Sequence, residues 1–348
     1  MKISIIIPYF NGVQQLPETL KALQKVSLRN ETELEIIVSD DGSSILPDSL
    51  VPAELKHSVK VIHQNHKGQS ACTNFAVKHA SGEYLWLLAQ DIKAAPECLD
   101  NFIDTASRFP DGLMQGVIFH DPALLEDRFT KYVAEESPFQ FAFDRIADDN
   151  DLPPTFHFAP NAFVNREFFM EMGGYYEDLP YGFQDTDFAI RWRLSGKKIV
   201  LVRNSIVYHN HHFQFDAYFS RQYRIGKSAV DLFVKWEQEA ELIQFSNLIR
   251  IFVIKGEIDS QIAIQAINRW QISGEEPPQT LVPDAKEPAL NACFNLVLRR
   301  EFYRGIYDRI RELYLHSHLL TKPEEIAVFN FDNPFNWIGR MLSQEHLP

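Results

Sequence analysis

The feature that most constrains this chain is a series of short apolar runs, each closed by acid, amide or glycine residues. Ile3–Ile7, broken only by Ser4, suits a strand buried on both faces. Glu35–Ser39, Val59–His63 and Tyr84–Leu88 read as three more strands. Residues 14–26 carry Leu16, Leu20 and Leu23 at helical spacing, and 69–80 and 96–108 also read as helices. Strands alternating with helices imply βαβ units and a parallel sheet. The strand C-termini of such a sheet share one edge, where open α/β folds bind ligands. Pro8, Tyr9 and Asn11 follow the first strand, and Asp40 and Asp41 the second. Asn65, His66, Lys67 and Gly68 follow the third, and Gln90 and Asp91 the fourth. Any one of these is an ordinary turn residue. Four strands ending alike imply a polar pocket for a sugar or a nucleotide.

Composition and missing motifs narrow the class. A chain of 348 residues with 45% apolar content folds into one large domain or two modest ones. Its net charge of -13 argues against a general nucleic-acid binder. Cys72, Cys98 and Cys293 are too few and too scattered for a disulfide framework or a thiolate zinc site, and fit a reducing compartment. No apolar run approaches the roughly 20 residues of a spanning helix. Pro8 and Asn11 interrupt the N-terminal run before a signal-peptide core forms. The expected location is the cytoplasm, with peripheral contact at the inner face of the membrane left open. The first strand is not followed by G-x-G-x-x-G, and neither a P-loop nor a G-x-S-x-G elbow occurs.

The middle of the chain adds a second polar cluster. Phe156–Val164 reads as extended with a break at Pro160, and Glu167–Met172 as a short helix stopped by Gly173-Gly174. Asp185 and Thr186 sit where a helix begins and Gly196 where it ends, so Asp185 alone is readable as a first-turn acid facing the helix dipole. Ile199–Val202 and Ser205–Tyr208 are strand-like, and His209-Asn210-His211-His212 closes the region. Histidines at i, i+2 share a metal only with suitable backbone geometry; a solvated cluster is the alternative.

In order and spacing, SIIIPYFNG (4–12), EIIVSDDGSS (35–44), N-x-x-G-x-S (65–70), SGEYLWLLAQD (81–91), GGYYEDLPYGFQDTDFAIRWRLSGKKI (173–199) and VYHNH (207–211) resemble the family 2 glycosyltransferases. The resemblance covers about residues 1–212. It implies a GT-A fold with a mainly parallel central sheet, and transfer of a sugar from a nucleotide diphosphate to an acceptor hydroxyl, with inversion and a divalent metal, Mn²⁺ or Mg²⁺. It implies a nucleotide pocket beginning at Pro8 and Tyr9 and including Asn11, with Asp40 accepting a hydrogen bond from the base and Asp41 beside it. Gly68 lets the backbone approach the nucleotide. Asn74 matches the Asn of the family's Arg-Asn pair, although Thr73 replaces the Arg, and Lys67 is a candidate for the missing charge. The family's Asp-x-Asp is Ala89-Gln90-Asp91 here, which leaves Asp91 as the metal carboxylate with His209 as a further ligand. Asp185 matches the general base, and Gln184 replaces the usual Glu, removing a like charge beside it.

After His212 the βαβ rhythm gives way to helical periodicity. The expected domains are a catalytic one at 1–212 and a helical region at 213–348. Helix-like stretches span 215–236, 240–254 and 258–270, a Pro-rich loop spans 273–288, and Leu290 to Ile310 form a long amphipathic helix. Arg221, Arg224 and Lys227 make one face cationic, for solvent or for a phosphate-bearing acceptor or membrane. Arg269-Trp270 matches the end of the processive synthases' Q-x-x-R-W, but Ala266 replaces the Gln, so a polymer synthase is not expected. The expected function is transfer of one sugar, from a UDP-sugar by family habit, to a glycan, lipid-linked or protein acceptor. A catalytically silent nucleotide-sugar binder is the alternative, motivated by Ala89 and Gln184; a nucleotidyltransferase would need a Gly-rich basic loop that YFNG (9–12) lacks. The helical region is a candidate homodimer surface.

Overall fold

The computed structural model describes residues 1–28, 32–137, 141, 143, 146, 149–179, 181–236, 239, 260–282 and 287–315. By its internal contacts the chain forms two compact units, Met1–Phe213 and Gln214–Pro348.

The first unit is built on an eight-stranded sheet. In chain order the strands are β1 (Lys2–Tyr9), β2 (Glu33–Asp40), β3 (Val59–His63), β4 (Tyr84–Leu88), β5 (Ile92–Ala94), β6 (Leu113–His120), β7 (Asn161–Asn165) and β8 (Ile199–His209). Their spatial order is β3-β2-β1-β4-β7-β6-β8-β5. β3, β2, β1 and β4 run parallel, as do β6 and β8, whereas β7 is antiparallel to both β4 and β6, and β5 to β8. The helices are α1 (Gln15–Leu23), α2 (Gln69–Lys78), α3 (Cys98–Arg108), α4 (Arg128–Lys131), α5 (Arg166–Glu171) and α6 (Gln184–Leu194). β1 forms where expected because its isoleucines are buried on both faces of the sheet. Leu16, Leu20 and Leu23 are the buried stripe of α1.

Two strands escape the sequence pattern. β5 is only three residues long, and β6 contains Gln115 and Gly116 where an apolar run would be expected. Both residues serve a buried polar network. Asn161 accepts from Trp86 Nε1 at 3.1 Å and donates to the Ser205 carbonyl at 2.9 Å and the Val117 carbonyl at 3.2 Å. A Cβ at Gly116 would overlap the Asn161 amide, and the register slips at this point, between Gly116 and Val117. The stretch read as extended from Phe156 instead begins with a 3₁₀ turn at Pro154–Phe156, and the strand starts after Pro160. Ile199–Val202 and Ser205–Tyr208 are one continuous strand. All three cysteines are buried and free.

The second unit contains α7 (Phe215–Lys235), α8 (Ser260–Ser273) and α9 (Ala289–Leu315). The helix expected at 240–254 lies outside the described residues, as do 283–286 of the Pro-rich loop. α7 and α9 meet with their backbones in contact: a Cβ at Gly226 would overlap the Phe302 carbonyl, and one at Gly305 the Tyr223 carbonyl. Around this crossing Lys227 pairs with Glu312 at 2.6 Å, Arg309 with Asp231 at 2.7 Å, and the Tyr223 hydroxyl donates to Asp308 at 2.8 Å. Lys227, one of the three cations expected on an open face, is therefore engaged inside the unit. Trp270 packs edge-on against Phe294 at 5.3 Å. Among the described residues no helix is long and apolar enough to cross a membrane.

Candidate functional site

The C-terminal edge of β1, β2 and β3 is organised by two buried carboxylates. Asp41 is 3% exposed. Its oxygens accept from Gln64 Nε2 at 2.7 Å and from the backbone N–H groups of Lys67 and Gly68, each at 2.9 Å, and His66 Nδ1 lies at 2.8 Å. Asp41 thus fixes the loop that enters α2. Gly68 adopts φ +94° at that entry, a conformation that L side chains resist, and a Cβ there would meet no atom within 4 Å. The Lys67 side chain is exposed on the same loop. Asp40, 1% exposed, accepts from Ser43 N at 3.0 Å, with His63 Nδ1 at 3.1 Å; His63 also reaches Asp48 at 3.2 Å.

The loop after β1 differs from expectation in which ring it presents. Tyr9 is buried, its hydroxyl donating to the Ile45 carbonyl at 3.1 Å, so its ring is not available to face a base. Phe10 is 45% exposed and stacks on His66 with centroids 4.5 Å apart. Pro8 is half-buried beside it. Asn11, at φ +53°, accepts from both the N–H and the hydroxyl of Ser44 at 2.9 Å. Gln90 clamps this loop: its Oε1 accepts from Phe10 N at 2.8 Å and its Nε2 donates to the Phe10 carbonyl at 3.3 Å.

Asp91 follows Gln90 on a turn held by Thr19 of α1, whose hydroxyl donates to the Gln90 carbonyl at 2.7 Å and accepts from Ile92 N at 3.1 Å. Pairing of β5 with β8 then sets His209 beside it. Asp91 Oδ2 lies 3.3 Å from both His209 Nε2 and His211 Nδ1, and the two imidazoles stack with centroids 5.3 Å apart. One ligand atom from each of the three residues falls within 4.8 Å of the others. Burial pushes the Asp91 carboxyl up, but the two histidines outweigh it and hold it below the usual carboxylate range. One carboxylate oxygen and two imidazole nitrogens fit a borderline divalent ion such as Mn²⁺ better than Mg²⁺. The i, i+2 spacing of His209 and His211 raised a shared metal or a solvated cluster as alternatives, and the structure brings both rings to Asp91 because residues i and i+2 of an extended segment share a face.

His120 has no counterpart among the residues expected from the sequence. It ends β6, directly opposite His209 in the parallel register, with ring centroids 5.5 Å apart. Burial, and then the charges of His209 and His211, lower its pKa to about 3, so its imidazole is neutral.

Asp185 occupies the first turn of α6, where the helix dipole favours a carboxylate. Gln184 Oε1 beside it is buried without a partner among the described residues. The same helix is tied into a hydrogen-bonded scaffold. Buried Asp187 pairs with Arg191 at 2.9 Å, and Arg191 donates to the carbonyls of Met172 and Gly174. Asn74, expected at the nucleotide, instead grips Tyr175: its Nδ2 donates to the Tyr175 carbonyl at 2.7 Å and its Oδ1 accepts from the Tyr175 N–H at 2.9 Å. Burial and the Asp185 charge push the Tyr175 phenol well above its ordinary pKa. Its hydroxyl lies 3.4 Å from Nε2 of His157, which burial keeps neutral with a pKa of about 3.

Residues 4–173 match the sequence profile of glycosyl transferase family 2. Over these residues the chain is similar to that family. The family 2 segment lies in the first unit and spans β1 to β7. The chain is 29% identical over 194 residues to the uncharacterized glycosyltransferase YwdF of Bacillus subtilis, covering 55% of this chain and 68% of that protein. It is 28% identical over 111 residues to the undecaprenyl-phosphate 4-deoxy-4-formamido-L-arabinose transferase of Erwinia tasmaniensis, covering 31% of this chain but only 34% of that one. In fold it is similar to the mannosyltransferase PcManGT of Pyrobaculum calidifontis, solved with GDP-Man and Mn²⁺ (TM-score 0.61, 16% identity, 88% of this chain and 86% of that one). It is also similar to S. aureus TarS 1-349, solved with UDP (TM-score 0.52, 16% identity, 90% and 92%). The glycosyltransferase fold shared with these structures is of the GT-A type.

Proposed function

We propose that this chain is an inverting glycosyltransferase that moves a single sugar from a nucleotide diphosphate donor to an acceptor hydroxyl. The observation that carries the proposal is the Asp91–His209–His211 cluster, set at the strand edge next to the loops that Asp41 and Gln90 hold in place. The complexes of similar folds with GDP-Man and Mn²⁺ and with UDP support a nucleotide-sugar donor. One partial relative is named as an undecaprenyl-phosphate transferase, which keeps lipid-linked acceptors in consideration beside glycan and protein hydroxyls.

In this reading the exposed face of Phe10 and the Asp40 loop receive the base, and Gly68 admits the nucleotide backbone. Asp91, His209 and His211 would hold a divalent ion, whose charge would offset that of the departing diphosphate. Asp185 takes the proton of the acceptor hydroxyl as its oxygen attacks the anomeric carbon from the face opposite the nucleotide, so one displacement inverts the centre. Gln184, uncharged, removes like-charge repulsion and makes Asp185 a slightly weaker base than the family's Glu-Asp pair would supply. The scaffold of Asn74, Arg191 and Tyr175 fixes the loop that leads into α6.

The test is release of nucleoside diphosphate by the purified chain from UDP-, GDP- and dTDP-sugars, each with Mn²⁺, Mg²⁺ or EDTA. Metal-dependent release from one donor, lost in Asp91→Ala and Asp185→Asn, supports the transferase, and slow hydrolysis with water as acceptor counts. Binding without release with every acceptor class supports the silent binder that Ala89 and Gln184 favour. Binding of no donor overturns the proposal.

A further inference from the structure

Thr19 is the one polar residue in the buried stripe of α1, among Leu16, Leu20 and Leu23. It is 1% exposed. A threonine inside a helix ordinarily turns its hydroxyl back onto a carbonyl of the preceding turn. The Thr19 hydroxyl leaves its helix instead and bonds backbone groups 71 and 73 residues further along the chain. It donates to the Gln90 carbonyl at 2.7 Å and accepts from Ile92 N at 3.1 Å. These two groups belong to the two peptide units that flank Asp91. The Asp91 carbonyl in turn accepts from the N–H of Asn210, the residue between His209 and His211, at 2.7 Å. Ile92 pairs directly with His209 where β5 meets β8.

We propose that Thr19 is a positioning residue that sets the ion affinity of the Asp91–His209–His211 cluster, acting through the backbone of Asp91; the inference rests on the reading of that cluster as the ion site of a glycosyltransferase. A residue has only two soft backbone dihedrals, and tying the peptide unit on each side of Asp91 to one buried atom restrains both. The direction in which the carboxylate leaves the chain is thereby fixed. The anchor comes from α1, whereas the histidines belong to the end of β8 and the segment after it, so the cluster is held from two independent elements. The cluster contains a single carboxylate, and Ala89 supplies no second acid to replace it if it is misdirected. The task requires a hydroxyl, because only a group that donates and accepts at once satisfies both a carbonyl and an N–H. Serine retains that group, and valine keeps the shape of threonine without it. Groups that orient a metal's ligands typically carry about 10- to 100-fold of its affinity.

The test is calorimetry of UDP and GDP binding to the full chain, each with saturating Mn²⁺ and in EDTA. The quantity read is the factor by which Mn²⁺ raises the affinity for the nucleotide that binds. Wild type is expected to show such a gain. Thr19→Val should cut it about tenfold, and Thr19→Ser should keep it. An unchanged gain in Thr19→Val overturns the assignment. So does a loss of affinity by the same factor with and without Mn²⁺, which is what a merely structural threonine would give. A gain lost as fully in Thr19→Ser as in Thr19→Val also overturns it, since the hydroxyl would then be irrelevant. If thermal melts show that Thr19→Val does not fold, Thr19→Ala takes its place. That variant has room for a water where the hydroxyl was and should lose part of the gain; full retention overturns the assignment. Absence of any Mn²⁺ gain in wild type removes the ion site and this assignment with it, and failure of wild type to bind either nucleotide removes the transferase reading itself. Both of those outcomes appear before any substitution is made.

Discussion

The acids at the sheet edge divide by what surrounds them. Asp41 accepts from two backbone N–H groups and a side-chain amide, so its task is to hold the loop from Gln64 to Gly68. Among the described residues the Asp91 carboxylate meets the imidazoles of His209 and His211, the set that would hold an ion with it. Two substitutions separate these roles. Asp41→Ala should lower the thermal midpoint and the nucleotide affinity together, because it strands buried donors at about 1–3 kcal/mol each. Asp91→Ala should leave metal-free UDP affinity nearly unchanged and abolish the gain in UDP affinity that Mn²⁺ gives, at least about tenfold by calorimetry. Retention of that gain would remove Asp91 from the metal site. At this scale Asp40, Asp41 and Asp91 were legible as carboxylates closing buried strands and Asp185 as a first-turn acid of a helix, because both are local patterns. Gln90 and Asn74 were legible as polar but not as clamps, since their partners Phe10 and Tyr175 lie far off in sequence. His120 acquires meaning only when β6 pairs with β8.

Among the elements, β1, β2 and β4 are tied together at the opposite edge by Glu35, which accepts from Ser4, from the Ser81 N–H and hydroxyl, and from the Gly82 N–H. Burial pushes the Glu35 carboxyl up, but these hydrogen bonds outweigh it and hold it below its ordinary value. Its contribution to stability is therefore present above the unfolded carboxyl range and lost as pH falls through the native value. Glu35→Gln should be less stable than wild type at pH 7, with the gap closing as pH falls from about 5 towards 3. Thermal melts across that range check it, and a gap independent of pH would contradict it. In the second unit, Gly226→Ala should force α7 and α9 apart and cost about 1–3 kcal/mol in urea unfolding, despite the better helix propensity of alanine. The strands and helices up to Arg108 were legible because their apolar periodicity is uninterrupted, apart from the three-residue β5. β6 was not, because Gln115 and Gly116 serve the buried Asn161 network rather than an apolar face.

For the molecule as a whole, the parallel strands deliver their polar ends to one edge, where the proposed site would grip its ion with a single carboxylate and two imidazoles. Chelation with EDTA should therefore abolish diphosphate release from the preferred donor, and Mn²⁺ should restore it more fully than Mg²⁺, since two of the three protein ligands are imidazoles. Equal restoration by both ions would argue against His209 and His211 as ligands. The most direct test of the central claim compares Asp185→Asn with wild type for donor affinity and for diphosphate release on the same preparations. The account predicts unchanged affinity and release reduced at least about 100-fold, because a general base acts on the acceptor and not on the donor. Release at the wild-type rate in a variant that still binds donor would contradict it.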